Sequence, residues 1–102
     1  MMGKIFEYFG FIFYFYSNEH EPVHVHVRKG GKESVFDLII ENGMLVAINR
    51  REKNNTVQLS YKDESILVEF IKNYWMEIVD KWITFFVFKQ SVSNTRINRK
   101  IK

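Results

Sequence analysis

Val23-His24-Val25-His26-Val27-Arg28-Lys29-Gly30-Gly31-Lys32-Glu33-Ser34-Val35-Phe36-Asp37-Leu38 consists of two alternating runs joined by a pair of glycines. Only glycine takes positive φ without steric cost, so Gly30-Gly31 predicts a tight hairpin turn between a strand from Val23 to Lys29 and a strand from Lys32 to Ile40. A two-residue turn pairs Lys29 with Lys32. Stepping outward sets Arg28 against Glu33, His26 against Val35 and His24 against Asp37. Side chains alternate across a strand, so His24, His26, Arg28, Glu33, Val35 and Asp37 share one face and Val23, Val25, Val27, Phe36 and Leu38 share the other. The valine face is expected to be core, and the histidine face to be polar and solvated.

Upstream, Ile5 to Tyr16 is almost all β-formers, interrupted by Glu7 and Gly10, and predicts a first strand through Phe11, Ile12, Phe13, Tyr14, Phe15 and Tyr16. Both of its faces are apolar. Such a strand lies centrally in a sheet or against a second copy, which leaves oligomerisation open. Ser17 to Pro22 reads as a polar turn. Downstream, Glu41-Asn42-Gly43 is a second tight turn, Met44 to Ile48 a fourth strand, and Asn49 to Asn55 an exposed loop before the short alternation Thr56, Val57, Gln58, Leu59.

From Ser60 the period changes to 3.6, with Ile66, Leu67, Phe70, Ile71, Tyr74, Trp75, Ile78, Val79, Trp82, Ile83 and Phe86 on one apolar stripe. One long helix or two are expected, with any break at Lys72-Asn73. Ser60 and Asp63 resemble a capping box, and Glu77 with Lys81 makes a favourable i,i+4 pair. Phe85 to Phe88 either leaves the helix for a strand or packs across the sheet. The expected fold class is α+β: a small antiparallel sheet of about four to five strands, covered on one face by one long or two consecutive C-terminal helices. Residues 1–88 form the single domain, and residues 89–102 a basic tail or edge strand.

A chain of 102 residues and 12.3 kDa closes around one core, and 46% apolar with 17% aromatic residues excludes disorder for most of its length. The absence of cysteine excludes disulfides, thiolate metal sites and cysteine nucleophiles. The strongly apolar run Phe9 to Tyr16 is too short for a membrane helix, so a cytoplasmic protein without membrane contact is expected. The net charge of +3 is uneven. Lys89, Arg96, Arg99, Lys100 and Lys102 are five cations in a segment without acids, which leaves ten basic against twelve acidic residues before it. Arg96, Arg99, Lys100 and Lys102 are accordingly candidates for weak, salt-sensitive nucleic-acid binding, against the simpler reading of a solvated tail.

The three histidines fall within seven residues, at His20, His24 and His26. Same-face imidazoles two apart can converge on one ion, with Asp37 or His20 as a third ligand, in a donor set that suits a divalent metal such as Zn or Fe. The same face can carry proton transfer, with His24 and His26 as acid and base and Arg28 or Lys29 stabilising a phosphate. It can also be a plain cross-strand polar ladder. No Gly-x-Ser-x-Gly, glycine-rich phosphate loop or His-Glu-x-x-His accompanies it.

Phe9-Gly10-Phe11-Ile12-Phe13, followed by Tyr16-Ser17-Asn18-Glu19-His20-Glu21-Pro22-Val23-His24-Val25-His26-Val27, resembles the signature of the bacterial domain of unknown function 4160 family. In that signature an aromatic-glycine strand leads into an Asn-acid-His turn and a Pro-x-His-x-His strand. Phe70-Ile71 through Trp82 is similar to the family's helical ending, and the matches span roughly residues 9 to 88. The sequence departs at Tyr14, where a basic residue is common, at Glu21 and Val23, where prolines are common, and in a longer linker around Arg50 to Asn55. The family has no established activity. The resemblance implies a small bacterial α+β domain, often encoded beside another short regulatory-type domain as in toxin-antitoxin modules, with His20, His24 and His26 as the positions carried over. Two readings follow: an interaction or regulatory module with a small protein partner or a second copy, and a His-based or metal-dependent nuclease or hydrolase. A catalytic site needs the imidazoles in a concave pocket, whereas a binding surface leaves them flat and flanked by exposed aromatics such as Tyr14 or Tyr16.

Overall fold

The computed structural model describes residues 2–16, 22–52 and 56–101. Six strands and one long helix follow in chain order: β1 Met2–Tyr8, β2 Phe11–Tyr16, β3 His24–Lys29, β4 Lys32–Glu41, β5 Met44–Arg51, α1 Tyr61–Trp82 and β6 Thr95–Ile97. They form an α+β fold on a mixed sheet of order β5-β4-β3-β2-β1-β6, in which only β6 is parallel to its neighbour. The expected turn at Gly30-Gly31 is present, with φ of 58° and 80°. β2 is central, as its two apolar faces require.

The sheet is mixed rather than wholly antiparallel and has more strands than expected, because the aromatic N-terminal run is two strands rather than one and Thr95–Ile97 adds a parallel edge. Phe9 and Gly10, with φ of 46° and 87°, turn β1 back on β2. Positive φ at both central residues gives the twist that a two-residue hairpin needs. Phenylalanine at the first of these positions carries no turn signal, which is why the sequence pattern hides it. A bulge between Lys4 and Phe6 then restores Phe6 and Tyr8 to the core face. The polar turn expected at Ser17 to Pro22 and the loop at Asn49 to Asn55 fall largely outside the described residues.

Ser60 caps α1, its Oγ accepting from the Asp63 backbone N–H at 3.1 Å. No break occurs at Lys72-Asn73. The Asn73 amide donates to the Glu69 carbonyl one turn back at 2.8 Å, so this residue is satisfied within the helix. The helix changes only after Trp82, where Ile83–Val87 forms a π-helical turn closed by Phe88 N–H donating to Ile83 O at 3.1 Å. The Phe85-Phe86 pair thus stays helical and packs against Phe15, at ring separations of 6.0 and 5.7 Å.

Leu67, Phe70, Ile71, Ile78 and Trp82 form the buried stripe of α1. It packs on the sheet face bearing Phe6, Phe13, Phe15, Val25, Val27, Phe36 and Leu38. The Phe70 ring lies 4.6 Å from Phe13 and 4.7 Å from Tyr8, and Trp82 meets Phe15 edge-on at 5.3 Å. Polar contacts fasten both ends of the helix. Near its start, the buried Ser34 hydroxyl donates to Glu64 at 2.5 Å and accepts from Leu59 N–H at 3.1 Å, while Arg50 pairs with Glu64 at 3.2 Å. Near its end, Lys81 points away from the expected surface pairing with Glu77. Its ammonium donates to Ile5 O, Ser93 O and Thr95 Oγ1 at 2.9, 2.8 and 3.0 Å, and it sits 4.4 Å from the Phe6 ring centroid.

Trp82 touches the sheet, the π-helical turn and the histidine strand. Trp82→Ala is expected to cost about 3 kcal/mol or more, read as a shifted urea midpoint. An unchanged midpoint would place Trp82 outside the core.

Candidate functional site

The predicted register holds residue by residue: His24 pairs with Asp37, His26 with Val35, Arg28 with Glu33 and Lys29 with Lys32. β2 lies on the other side of β3 and sets Tyr14 beside His26 and Ile12 beside Arg28. Alternation therefore brings Tyr14 and Tyr16 onto the histidine face. His26 stacks on Tyr14 at 5.2 Å and 21° and receives the edge of Tyr16 at 4.7 Å. His24 lies 5.5 Å from His26 and 5.2 Å from Trp82. The expected solvated face is consequently buried at its centre: His24 is 1%, His26 4% and Tyr14 0% exposed.

Burial obliges these polar groups to find partners. His26 Nδ1 lies 2.9 Å from Glu33 Oε2, and His24 Nδ1 lies 2.8 Å from the Pro22 carbonyl. Carboxylate and carbonyl oxygens only accept, so both rings carry their proton on Nδ1. Glu33 also takes the Tyr14 hydroxyl. Burial, followed by the hydrogen bond and negative charge of Glu33, pushes the Tyr14 phenol far above its ordinary range. The result is a closed relay of imidazole, carboxylate and phenol.

Two expected partnerships are rearranged by reach across the diagonals of the sheet. Glu33 turns to His26 and Tyr14, leaving the Arg28 guanidinium 5.2 Å over the Tyr14 ring. Asp37 stands opposite His24 in register, but its carboxylate is held by Arg51 Nη2 at 2.7 Å. No group of three or more His, Cys, Asp or Glu side chains is arranged to hold a metal among the described residues. His20, the remaining ligand candidate, lies outside them, as does Lys102.

The cations of the C-terminal segment divide. Arg96 is engaged by Glu7 at 3.0 Å, and the hydrogen bonds of Lys4, Asn94 and Arg96 hold the Glu7 carboxyl below the usual carboxylate range. Arg99 and Lys100 are exposed, with Lys100 Nζ 6.0 Å from the Phe9 ring. Three of the grooves formed by the described residues bear on these groups. One of about 450 Å³ lies between the two hairpin turns and is lined by Gly10, Arg28, Lys29, Gly30 and Lys32. A second, of about 340 Å³, lies between β5 and α1 beside Ile48, Arg50, Tyr61 and Val68. The third, of about 410 Å³, is lined by Val23, Leu38, Val79, Trp82 and Val87. Neither His24 nor His26 lines any of the three.

Glu33 and Tyr14 belong to the buried relay and Tyr16 packs its edge against it, whereas the hairpin register alone pairs Glu33 with Arg28 and leaves the tyrosines as strand or surface residues. The available signal was the Tyr-x-Tyr of one strand beside the His-x-His of the next, which share a face once the two strands pair.

The model of a family described as "Domain of unknown function (DUF4160)" matches residues 10–83. No curated protein and no solved structure matches the chain.

Because the Tyr14 phenol is held above its ordinary value near 10, its contribution to stability is full below that pH and fades as pH rises beyond it. Tyr14→Phe should therefore lose stability less steeply than the wild type between about pH 8 and about pH 11, compared by urea midpoints. Glu33→Ala, which strands the His26 and Tyr14 donors in the interior, is expected to cost about 2 to 4 kcal/mol. Indistinguishable pH slopes, or a neutral Glu33→Ala, would show that the relay does not stabilise the fold.

Proposed function

For a chain that belongs to the DUF4160 family, we propose an interaction or regulatory module of the bacterial cytoplasm, working with a small protein partner in a toxin-antitoxin-like pair. The observation that carries this reading is the sheet margin at β5. This strand has one neighbour, β4, among the described residues, and Met44 and Val46 are 64% and 54% exposed on it. An apolar edge with unused backbone donors and acceptors is a template for an added strand. The groove beside Ile48, Tyr61 and Val68 runs along the same margin and offers a pocket for the side chains of that strand. Burial of the imidazoles supports the same reading, since a substrate has no open route to them through the three grooves.

A His-based hydrolase is the second reading, favoured by one observation: the 2.9 Å contact that orients His26 against Glu33 resembles a base held by its carboxylate. It requires the aromatic cover to open. No helix among the described residues is long and apolar enough to cross a membrane.

The test mixes the protein with the product of any short reading frame that adjoins its own gene and follows backbone hydrogen exchange. Slowed exchange at Met44 to Ile48, lost in Val46→Lys with an unchanged thermal midpoint, is the expected result. A complex that forms equally well with Val46→Lys would move the interface elsewhere. Hydrolysis of a phosphodiester substrate by the wild type but not by His26→Gln would favour the enzyme instead.

A further inference from the structure

The fold brings together two basic segments that are about seventy residues apart in the chain. β1 ends at the Phe9-Gly10 turn and β3 at the Gly30-Gly31 turn, at the same end of the sheet. The Lys29 side chain lies along Gly10, where a Cβ would meet Lys29 Cε at 3.4 Å, and its ammonium sits 4.6 Å from the Phe11 ring centroid. The C-terminal segment reaches the same end. Parallel pairing of β6 carries it past Tyr8, whose hydroxyl accepts from Ile101 N–H at 3.0 Å, and Lys100 comes to rest near Phe9.

Arg28, Lys29, Lys32 and Lys100 therefore crowd one rim, around and beside the groove of about 450 Å³. The one carboxylate lining that groove, Glu33, is committed to His26 and Tyr14. Among the described residues no carboxylate forms an ion pair with Lys29, Lys32 or Lys100. Gathered cations repel one another, and a polyanion relieves that repulsion while releasing its own counterions. Phe9, 48% exposed at the tip of the turn, supplies a flat apolar face next to them. An aromatic ring beside a track of cations suits a strand whose bases are unpaired and free to stack.

We propose that this rim binds single-stranded nucleic acid, with the phosphodiester backbone across Lys29, Lys32 and Lys100 and a base on Phe9. The site is composite, so neither the hairpin nor the C-terminal segment suffices alone. It lies away from β5 and is independent of any protein partner there.

Fluorescence anisotropy with a labelled oligothymidylate of about 12 nucleotides tests it, using the full chain over a salt series. Binding should weaken roughly tenfold in the double variant Lys29→Ala/Lys32→Ala and by a similar factor in Lys100→Ala/Arg99→Ala. The slope of log affinity against log salt should fall by about 0.7 for each contacting cation removed. Phe9→Asn should weaken binding roughly tenfold with the salt slope unchanged. This variant keeps its fold because Asn-Gly is the pair such a turn prefers. Circular dichroism and thermal midpoints equal to the wild type accompany each comparison. Absence of binding at low salt, or affinity insensitive to the hairpin cations, would overturn the composite site. A duplex of equal length bound as tightly as the single strand, or indifference to Phe9→Asn, would overturn the stacking of unpaired bases.

Discussion

The arrangement of the sheet depends on the length of one turn. With two residues at Gly30-Gly31, the odd-numbered valines of β3 face α1 and its even-numbered histidines face Tyr14 and Glu33. Strand periodicity is two, so a slip of one residue would drive His26 and Arg28 into the helix-facing core around Phe13 and Phe70 and turn Val25 and Val27 outward. Both faces of β3 are buried, which makes every alternative register costly. A central strand with apolar residues on one side and a closed polar relay on the other has one position of low energy.

The relay is stable because each member supplies what its neighbour lacks. Glu33 can only accept, His26 offers Nδ1–H, and Tyr14 offers its hydroxyl. In the interior a hydrogen bond to a charged group is stronger than in water, and an unmade one is correspondingly expensive. The surrounding rings exclude solvent and fix the orientation of the imidazoles, with Arg28 lying over the Tyr14 face. His24 and His26 are thus embedded in the architecture of the domain.

Features governed by neighbours in sequence were legible in the chain. Gly30-Gly31 set the β3–β4 register, Ser60 marked the start of α1, and the stripe drawn by the 3.6 period contains the buried Leu67, Phe70, Ile71, Ile78 and Trp82 but was too wide, since Ile66 and Ile83 at its margins are exposed. Other features depend on segments that meet only in the folded state. The Phe9-Gly10 turn lacks the usual residue at its first position, so β1 merged with β2. β6 is three residues long and exists through its pairing with β1 and the reach of Lys81. The candidate site was half legible: the residues that share its face were identified, but the burial of that face was not. Burial follows from Tyr14 and Tyr16 on β2, and the diagonal choices of Glu33 and Asp37 follow from side-chain reach.

The triple grip of Lys81 has a consequence for how the molecule is made. Its ammonium takes acceptors from residues 5, 93 and 95, which are synthesised before and after α1. The five-strand meander can assemble as it emerges because each strand pairs with the one before it. The outer margin of β1 cannot be sealed until β6 has emerged behind α1, and until then it presents an unpaired edge to every nascent neighbour. The interval between release of α1 and docking of β6 is therefore the period in which that edge stands open, and Lys81 is one of the groups that close it.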